Sequence, residues 1–250
     1  MKVIIEALTI KRGSKIVISN LSASMEGPGL YQVIGPNGSG KTTLMLTILG
    51  VIKPMSGSIR VELNSRNHNG PIFSYMPQSY SIPKDAPITV YEFVKGYYEL
   101  SKPWPRFLHR DISVDEKIRR ALELVNIPKS MWMEQLRNLS GGMLQRVFLA
   151  RALVIDAPMI LLDEPLSSID PDGKVDIAEL LGELSRGKLI ITTSHDPILL
   201  LDYTKKILLL GYGFHAYGDV NEILKYEILS KFYKKCAVEL DKHVHIVDWH

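Results

Sequence analysis

Lys41, Thr42 and Thr43 close a loop, Gly35-Pro36-Asn37-Gly38-Ser39-Gly40, in which half the residues are glycine. The stretch fits the P-loop pattern G-x-x-x-x-G-K-[ST] in full. Such a loop turns consecutive backbone N–H groups toward one anion, and the positive end of a following helix adds to the pull. Glycine permits positive φ and lets the backbone come close to a ligand. In this pattern the lysine bridges the β- and γ-phosphates of a nucleotide, and the Thr42 hydroxyl holds Mg²⁺. A Gly-rich turn without chemistry is the plainer alternative. The flanks argue against it: the apolar, strand-forming "GLYQVI" precedes the loop, and "KTTLMLTILG", apolar at helical spacing, follows it.

A second apolar run, "APMILLDEP", ends in Asp163 and Glu164. A run apolar at every position suits a parallel strand buried on both faces. Open α/β sheets bind ligands beyond the carboxyl ends of their strands, so these acids belong near the phosphates. Adjacent residues on a strand point opposite ways. That predicts separate roles, Asp163 on Mg²⁺ through water and Glu164 as base for the attacking water. A third element, "RNLSGGMLQRVFLARAL", carries Ser140-Gly141-Gly142 at the start of an amphipathic helix. Serine caps the helix, and two glycines leave N–H groups open to a second anion. Two anion-grasping helix starts beside one acid pair imply two ligands, or one ligand shared between two copies of the chain.

These groups need a frame. Residues 1–30 read as short strands broken by Gly13 and by the turn "MEGPG". "SGSIRVELN" reads as a further strand, "NSRNHNG" as a turn, and "PIFSYMPQ" as a return to the core sheet. From Ser79 the pattern turns helical, with "ITVYEFVKGYYEL" and "SVDEKIRRALELV" on either side of "SKPWPRF". Pro83 and Pro87 mark a hinge, and Tyr80, Tyr91, Phe93, Tyr97 and Tyr98 cluster nearby. "PDGKVDIAELLGELSRG" reads as a capped helix, "KLIITTS" as a strand, and "KKILLLGYGFHAYGDVNEIL" as a hairpin and a helix. With 46% hydrophobic and 23% charged residues, the 250-residue chain has the make-up of a globular domain. A net charge of +3 without blocks of basic residues gives no reason to expect nucleic acid as a partner. The single cysteine, Cys236, allows no internal disulfide. The apolar stretches are too short to span a bilayer, so work at a membrane would need another chain.

Together the motifs resemble the nucleotide-binding subunit of an ATP-binding-cassette (ABC) transporter, over residues 1 to about 225. "GPNGSGKT" matches the family's Walker A motif and "MILLDEP" its Walker B. "LSGGM" is similar to the LSGGQ signature, with Met143 where glutamine is usual. Gln78 in "YMPQ" stands at the Q-loop position, Asp170 in "SSID" in the D-loop, and His195 in "TTSHD" at the switch histidine. The resemblance implies an α/β fold with a mainly parallel sheet and an N-terminal antiparallel β subdomain. It also implies a helical subdomain inserted at about 79–145, with 226–250 as a C-terminal extension. Two copies would pack head to tail as a homodimer. Each ATP would lie between the P-loop of one, Gly35 to Thr43, and Ser140, Gly141 and Gly142 of the other. Gln78 would contact Mg²⁺ or the attacking water, His195 would touch the γ-phosphate, and Asp170 would reach toward the partner's P-loop.

One departure concerns the base. The family often stacks an aromatic residue of its first strands on adenine, and here Arg12 holds that position. A guanidinium stacks on any base plane, which puts base selectivity in question. Phrases such as "RVFLARAL" and "GKLIITTSHD" resemble the ATPases of zinc and manganese uptake systems. The partners implied are permease subunits, an external solute-binding protein and a second copy of the chain, at the cytoplasmic face of the cell membrane. A soluble ABC-type ATPase serving cofactor assembly is the alternative, and co-purification with a permease separates the two. In the tail, His243 and His245 are two apart on a strand-like stretch and His250 follows, a spacing that could bind a metal or be plain surface.

Overall fold

The run "GLYQVI" becomes strand β3 (Gly29–Ile34), buried at every position. It lies between β7 (Leu189–Ser194) and β8 (Thr204–Leu210), parallel to both. Outward from β7 come β6 (Met159–Asp163) and β5 (Phe73–Met76), also parallel, and β9 (His215–Gly218) closes the other edge antiparallel to β8. The computed structural model describes residues 1–63, 70–78, 87–104, 111–195, 197–233, 237–240 and 243–246, with side chains described up to residue 232. Tyr80, Pro83 and His250 of the sequence reading lie outside these residues.

Strand alternation explains the core. Met159 and Leu161 of β6 face one hydrophobic cluster, and Ile160 and Leu162 face another. The first cluster lies under a separate antiparallel sheet of order β2-β1-β4, made of β1 (Lys2–Arg12), β2 (Lys15–Glu26) and β4 (Ser56–Glu62). Helix α1 (Lys41–Ile48) buries Leu44, Met45 and Ile48 in the same cluster. The second cluster takes the helical insert: α2 (Val90–Ser101), α3 (Val114–Leu124) and α4 (Gly141–Leu153), with α5 (Pro171–Ser185) beside them. Covered on both sides, β3, β6 and β7 show no polar face, and the polar residues they do carry, such as Gln32 and Thr193, are buried.

The first two strands are longer than the sequence suggests, at 11 and 12 residues. Their pairing absorbs irregularities instead of ending at them. Register shifts fall between Ile5 and Leu8 and between Leu8 and Ile10, and Ala7 and Asn20 have positive φ. Thr89 and Glu92 form a capping box that starts α2. Phe93 lies 5.5 Å from Phe148 of α4, and the Arg151 guanidinium sits 4.1 Å from the Tyr97 ring centroid, so those aromatics hold α2 on α4. After β9 come α6 (Val220–Ile223) and α7 (Tyr226–Tyr233). Ile223, Leu229 and Phe232 pack on Ile34, Ile207 and Leu209. The final strands β10 (Ala237–Leu240) and β11 (His243–Ile246) pair antiparallel.

The topology brings the carboxyl ends of β3, β6 and β7 together, and the P-loop leaves β3 there. Gly35 makes the exit possible. Its φ is +150°, and a Cβ at this position would stand 2.1 Å from the Leu210 carbonyl oxygen of β8. Gly35→Ala should therefore force the loop and β8 apart. We expect it to cost about 1–3 kcal/mol of stability, measured by urea denaturation, and to weaken nucleotide binding in the folded fraction.

Candidate active site

Gly35 to Gly40 form the loop between β3 and α1. Gly38 and Gly40 adopt φ of +76° and +106°. Gly40 is the N-cap of α1 and offers no side-chain cap, so the first amide groups of the helix face the loop's hollow without a competing oxygen of its own. Lys41 is buried, and its ammonium donates to the carbonyls of Gly35 at 2.8 Å and Pro36 at 3.4 Å. The Ser39 hydroxyl is buried without a hydrogen-bond partner.

Across from the loop, β6 ends at Asp163 and the chain turns sharply. Glu164 has φ +56°, so it is this left-handed turn, not the strand alternation expected from sequence, that separates the two acids. One hydroxyl ties them together. Thr193 Oγ1 donates to Asp163 Oδ1 at 2.5 Å and accepts the Glu164 N–H at 2.9 Å. The Glu164 carboxylate is held at both oxygens. Gln78 Nε2 donates to Oε2 at 2.7 Å, and His195 Nε2 lies 2.6 Å from Oε1. Gln78 comes from the end of β5 and His195 from the end of β7, so three strand ends converge on one carboxylate. A cavity of 110 Å³ borders Glu164, Thr193 and His195.

The two carboxyls are tuned in opposite directions. Burial pushes Asp163 up, against the pull of the Thr193 and Thr42 hydroxyls, and it stays above its usual range. Burial also pushes Glu164 up, but the hydrogen bond and charge of His195, the Lys41 charge and the Gln78 amide outweigh it and leave Glu164 below its usual range. Asp163 Oδ2 is buried and completes no hydrogen bond. An unpartnered carboxylate oxygen with the Thr42 hydroxyl close by is a donor set that fits a small hard cation such as Mg²⁺.

Two residues of this site escaped the sequence reading. Gln145, buried on α4, donates to the Glu164 carbonyl at 2.9 Å and to Ser167 Oγ at 3.3 Å. Thr193 is the second. The signal for Gln145 was a polar residue on the apolar face of a helix, next to Arg146, which is buried too and donates to the Val125 carbonyl at 3.0 Å. Ser140 caps α4 by accepting the Met143 N–H at 3.3 Å, as its type suggests. Gly142 lies under the Ser168 carbonyl, where a Cβ would stand at 3.1 Å. Asp170 caps α5 through the Gly173 N–H at 3.0 Å, so within one chain it serves its own helix. Arg12 is exposed at the end of β1, paired with Lys15 across the hairpin.

Comparisons with known proteins identify the family. A family model described as ABC transporter matches residues 18–167, which hold the P-loop, both acids and the Ser140-Gly141-Gly142 start. The chain belongs to the ABC transporter family. It is the ATP-binding subunit, and ATP hydrolysis coupled to transport is its activity. It is 30% identical over 231 residues to a zinc import ATP-binding protein of Wolbachia sp. subsp. Brugia malayi, covering 92% of this chain and 87% of that one. It is 32% identical over 240 residues to a manganese transport system ATP-binding protein of Listeria monocytogenes, covering 94% and 97%. Among solved structures, a dimeric ATP-binding cassette in a post-hydrolysis state with ADP and phosphate superposes with a TM-score of 0.73 at 22% identity, covering 87% of this chain and 98% of that one. Among the described residues no helix is long and apolar enough to cross a membrane.

The raised Asp163 yields a test. A carboxyl that binds its proton more tightly in the folded state costs stability as pH rises from its unfolded pKa, and the cost is complete above its folded pKa. Asp163→Asn keeps an oxygen for the Thr193 hydroxyl and removes the charge. The nucleotide-free variant should melt above the wild type at pH 7, and the gap should narrow as pH falls, closing only below the ordinary aspartate range, where Asp163 is protonated in both states. The same variant should lose Mg²⁺-dependent ATP hydrolysis. A lower melting temperature at pH 7 would contradict the electrostatic account.

Proposed function

We propose that this ABC ATPase drives uptake of a transition-metal ion, hydrolysing ATP between two copies of the chain. The work would reach permease subunits at the cytoplasmic face of the membrane. The observation that carries the catalytic half is the Glu164 carboxylate, ionised, buried and gripped by His195 and Gln78 at the end of β6. Metal as cargo is supported by the zinc- and manganese-related names of relatives matched over nearly their whole length.

The roles follow from chemistry. The amides from Gly35 to Thr43 cradle the phosphates, and Lys41 exchanges the Gly35 carbonyl for phosphate oxygen. Thr42 and Asp163, with Gln78 near, would hold Mg²⁺, which when bound would offset the negative charge of the phosphates. Glu164 takes a proton from the attacking water, and His195 keeps that carboxylate aimed while it contacts the γ-phosphate. Ser140, Gly141 and Gly142 of the second copy complete the phosphate shell, a pairing supported by the dimeric cassette of the same fold. Asp170 approaches the partner's P-loop from the start of α5, and Arg12 stacks on the base. An external solute-binding protein would deliver the ion.

The permease would dock on the helical insert. A groove of 1110 Å³ runs between the helical insert and the large sheet, lined by Tyr97, Tyr98, Lys117, Arg120, Arg151 and Lys188 among others. Gln78 joins the sheet to that insert.

Two outcomes are expected. Glu164→Gln preserves shape and loses the base, so MgATP binding should survive while turnover falls by about 100-fold or more. Uncleaved ATP should then hold two chains together, seen as a dimer by sedimentation. Wild-type turnover would remove Glu164 from the mechanism. In vesicles carrying the chain with its permease, Zn²⁺ or Mn²⁺ uptake should require ATP, and Gln78→Ala should lower uptake more than it lowers hydrolysis by the isolated subunit. Recovery of only soluble partners from detergent-solubilised membranes would overturn the transport reading.

A further inference from the structure

The turn between β8 and β9 meets the P-loop at two points. The Leu210 carbonyl packs against Gly35, leaving no room for a side chain. Two residues on, the Tyr212 hydroxyl donates to the Asn37 carbonyl at 2.8 Å, and its ring lies 3.9 Å from where a Cβ on Gly38 would stand. Tyr212 is 56% exposed, and the Lys15 ammonium sits 5.3 Å from its ring centroid. A ring this exposed gains little from burial. What it contributes is the contact to the loop.

A loop that aims its N–H groups at an anion must turn carbonyls the other way. Those carbonyls need donors. The Gly35 and Pro36 carbonyls draw on the Lys41 ammonium, and Pro36 also accepts the Ser39 N–H at 3.2 Å. The lysine contacts are given up when the ammonium turns to phosphate. The Tyr212 contact uses no group that phosphate would claim, and it comes from a strand turn 175 residues away in sequence. The turn is itself anchored: the Phe214 ring lies 4.6 Å from Phe232 of α7.

We infer that Tyr212 is a positioning residue for the nucleotide, its hydroxyl holding the crest of the P-loop in phosphate-binding form while Lys41 changes partner. This rests on the nucleotide-binding role given above and adds a residue outside every motif that announced it.

The test is calorimetric titration of the full-length wild type and Tyr212→Phe with MgATP, MgGTP and pyrophosphate. Phenylalanine keeps the ring and removes only the donor. Loss of one neutral hydrogen bond should weaken all three ligands alike, by about two- to tenfold. The melting temperature of the nucleotide-free protein and kcat at saturating ATP should stay at wild-type values, and KM should rise. Affinities equal to wild type would overturn the inference. So would a loss confined to ATP, which would make the ring a base contact, or a fall in melting temperature, which would make the hydroxyl a general structural prop. A wild type that bound no nucleotide would instead overturn the nucleotide-binding reading beneath it.

Discussion

Asp163 and Glu164 set two carboxylates side by side at the end of a strand with no exposed residue. Desolvation works against both ionised forms, and each charge works against the other. The surrounding groups answer this conflict. Glu164 is held by His195 and the Gln78 amide and feels the Lys41 charge, and it stays below its usual range. Asp163 is bonded by hydroxyls and feels the same Lys41 charge, but burial and the Glu164 charge leave it above its usual range, and one of its oxygens has no hydrogen bond. Neighbouring carboxylates are thus given the opposite characters that the proposed roles of base and cation ligand require.

This division needs donors from far apart in sequence. Thr193 comes from β7, Gln78 from β5, Gln145 from α4 and Lys41 from α1. The parallel sheet supplies the strand ends because every crossover returns the next strand to the same edge. The helical insert takes part through Gln145, whose amide reaches the Glu164 carbonyl. The helix that presents Ser140-Gly141-Gly142 outward is therefore hydrogen-bonded to the backbone of the residue that carries the base.

Much of this was legible in the residue order. Strands β3, β6 and β7 could be read because burial on both faces removes alternation and leaves short, mainly apolar runs rich in strand-forming residues. The P-loop could be read because its backbone demands glycine at set intervals. The functional positions Gln78, Asp170 and His195 were legible only by resemblance to a family, since a single glutamine, aspartate or histidine in a loop has no pattern of its own. Gln145, Thr193 and Tyr212 were not legible. Their partners lie 19, 29 and 175 residues away, and periodicity reports which face a side chain takes, not what it meets there. The breaks at Gly13 and "MEGPG" were legible and bound β1 and β2, but the strands between them run longer than expected because their pairing continues past the bulge at Ala7.

The place of β3 in the sheet bears on how the protein is made. The antiparallel trio β1, β2 and β4 is complete once residue 62 has been synthesised, so its pairings are available early. β3 emerges among them, yet both of its neighbours, beginning at residues 189 and 204, arrive after most of the chain has left the ribosome. Until then an apolar strand has two open edges, the condition under which strands pair with the wrong chain. Closing so long a loop is also slow. The strand that leads into the P-loop is thus translated long before it is sheltered, and in this interval a chaperone has most to protect.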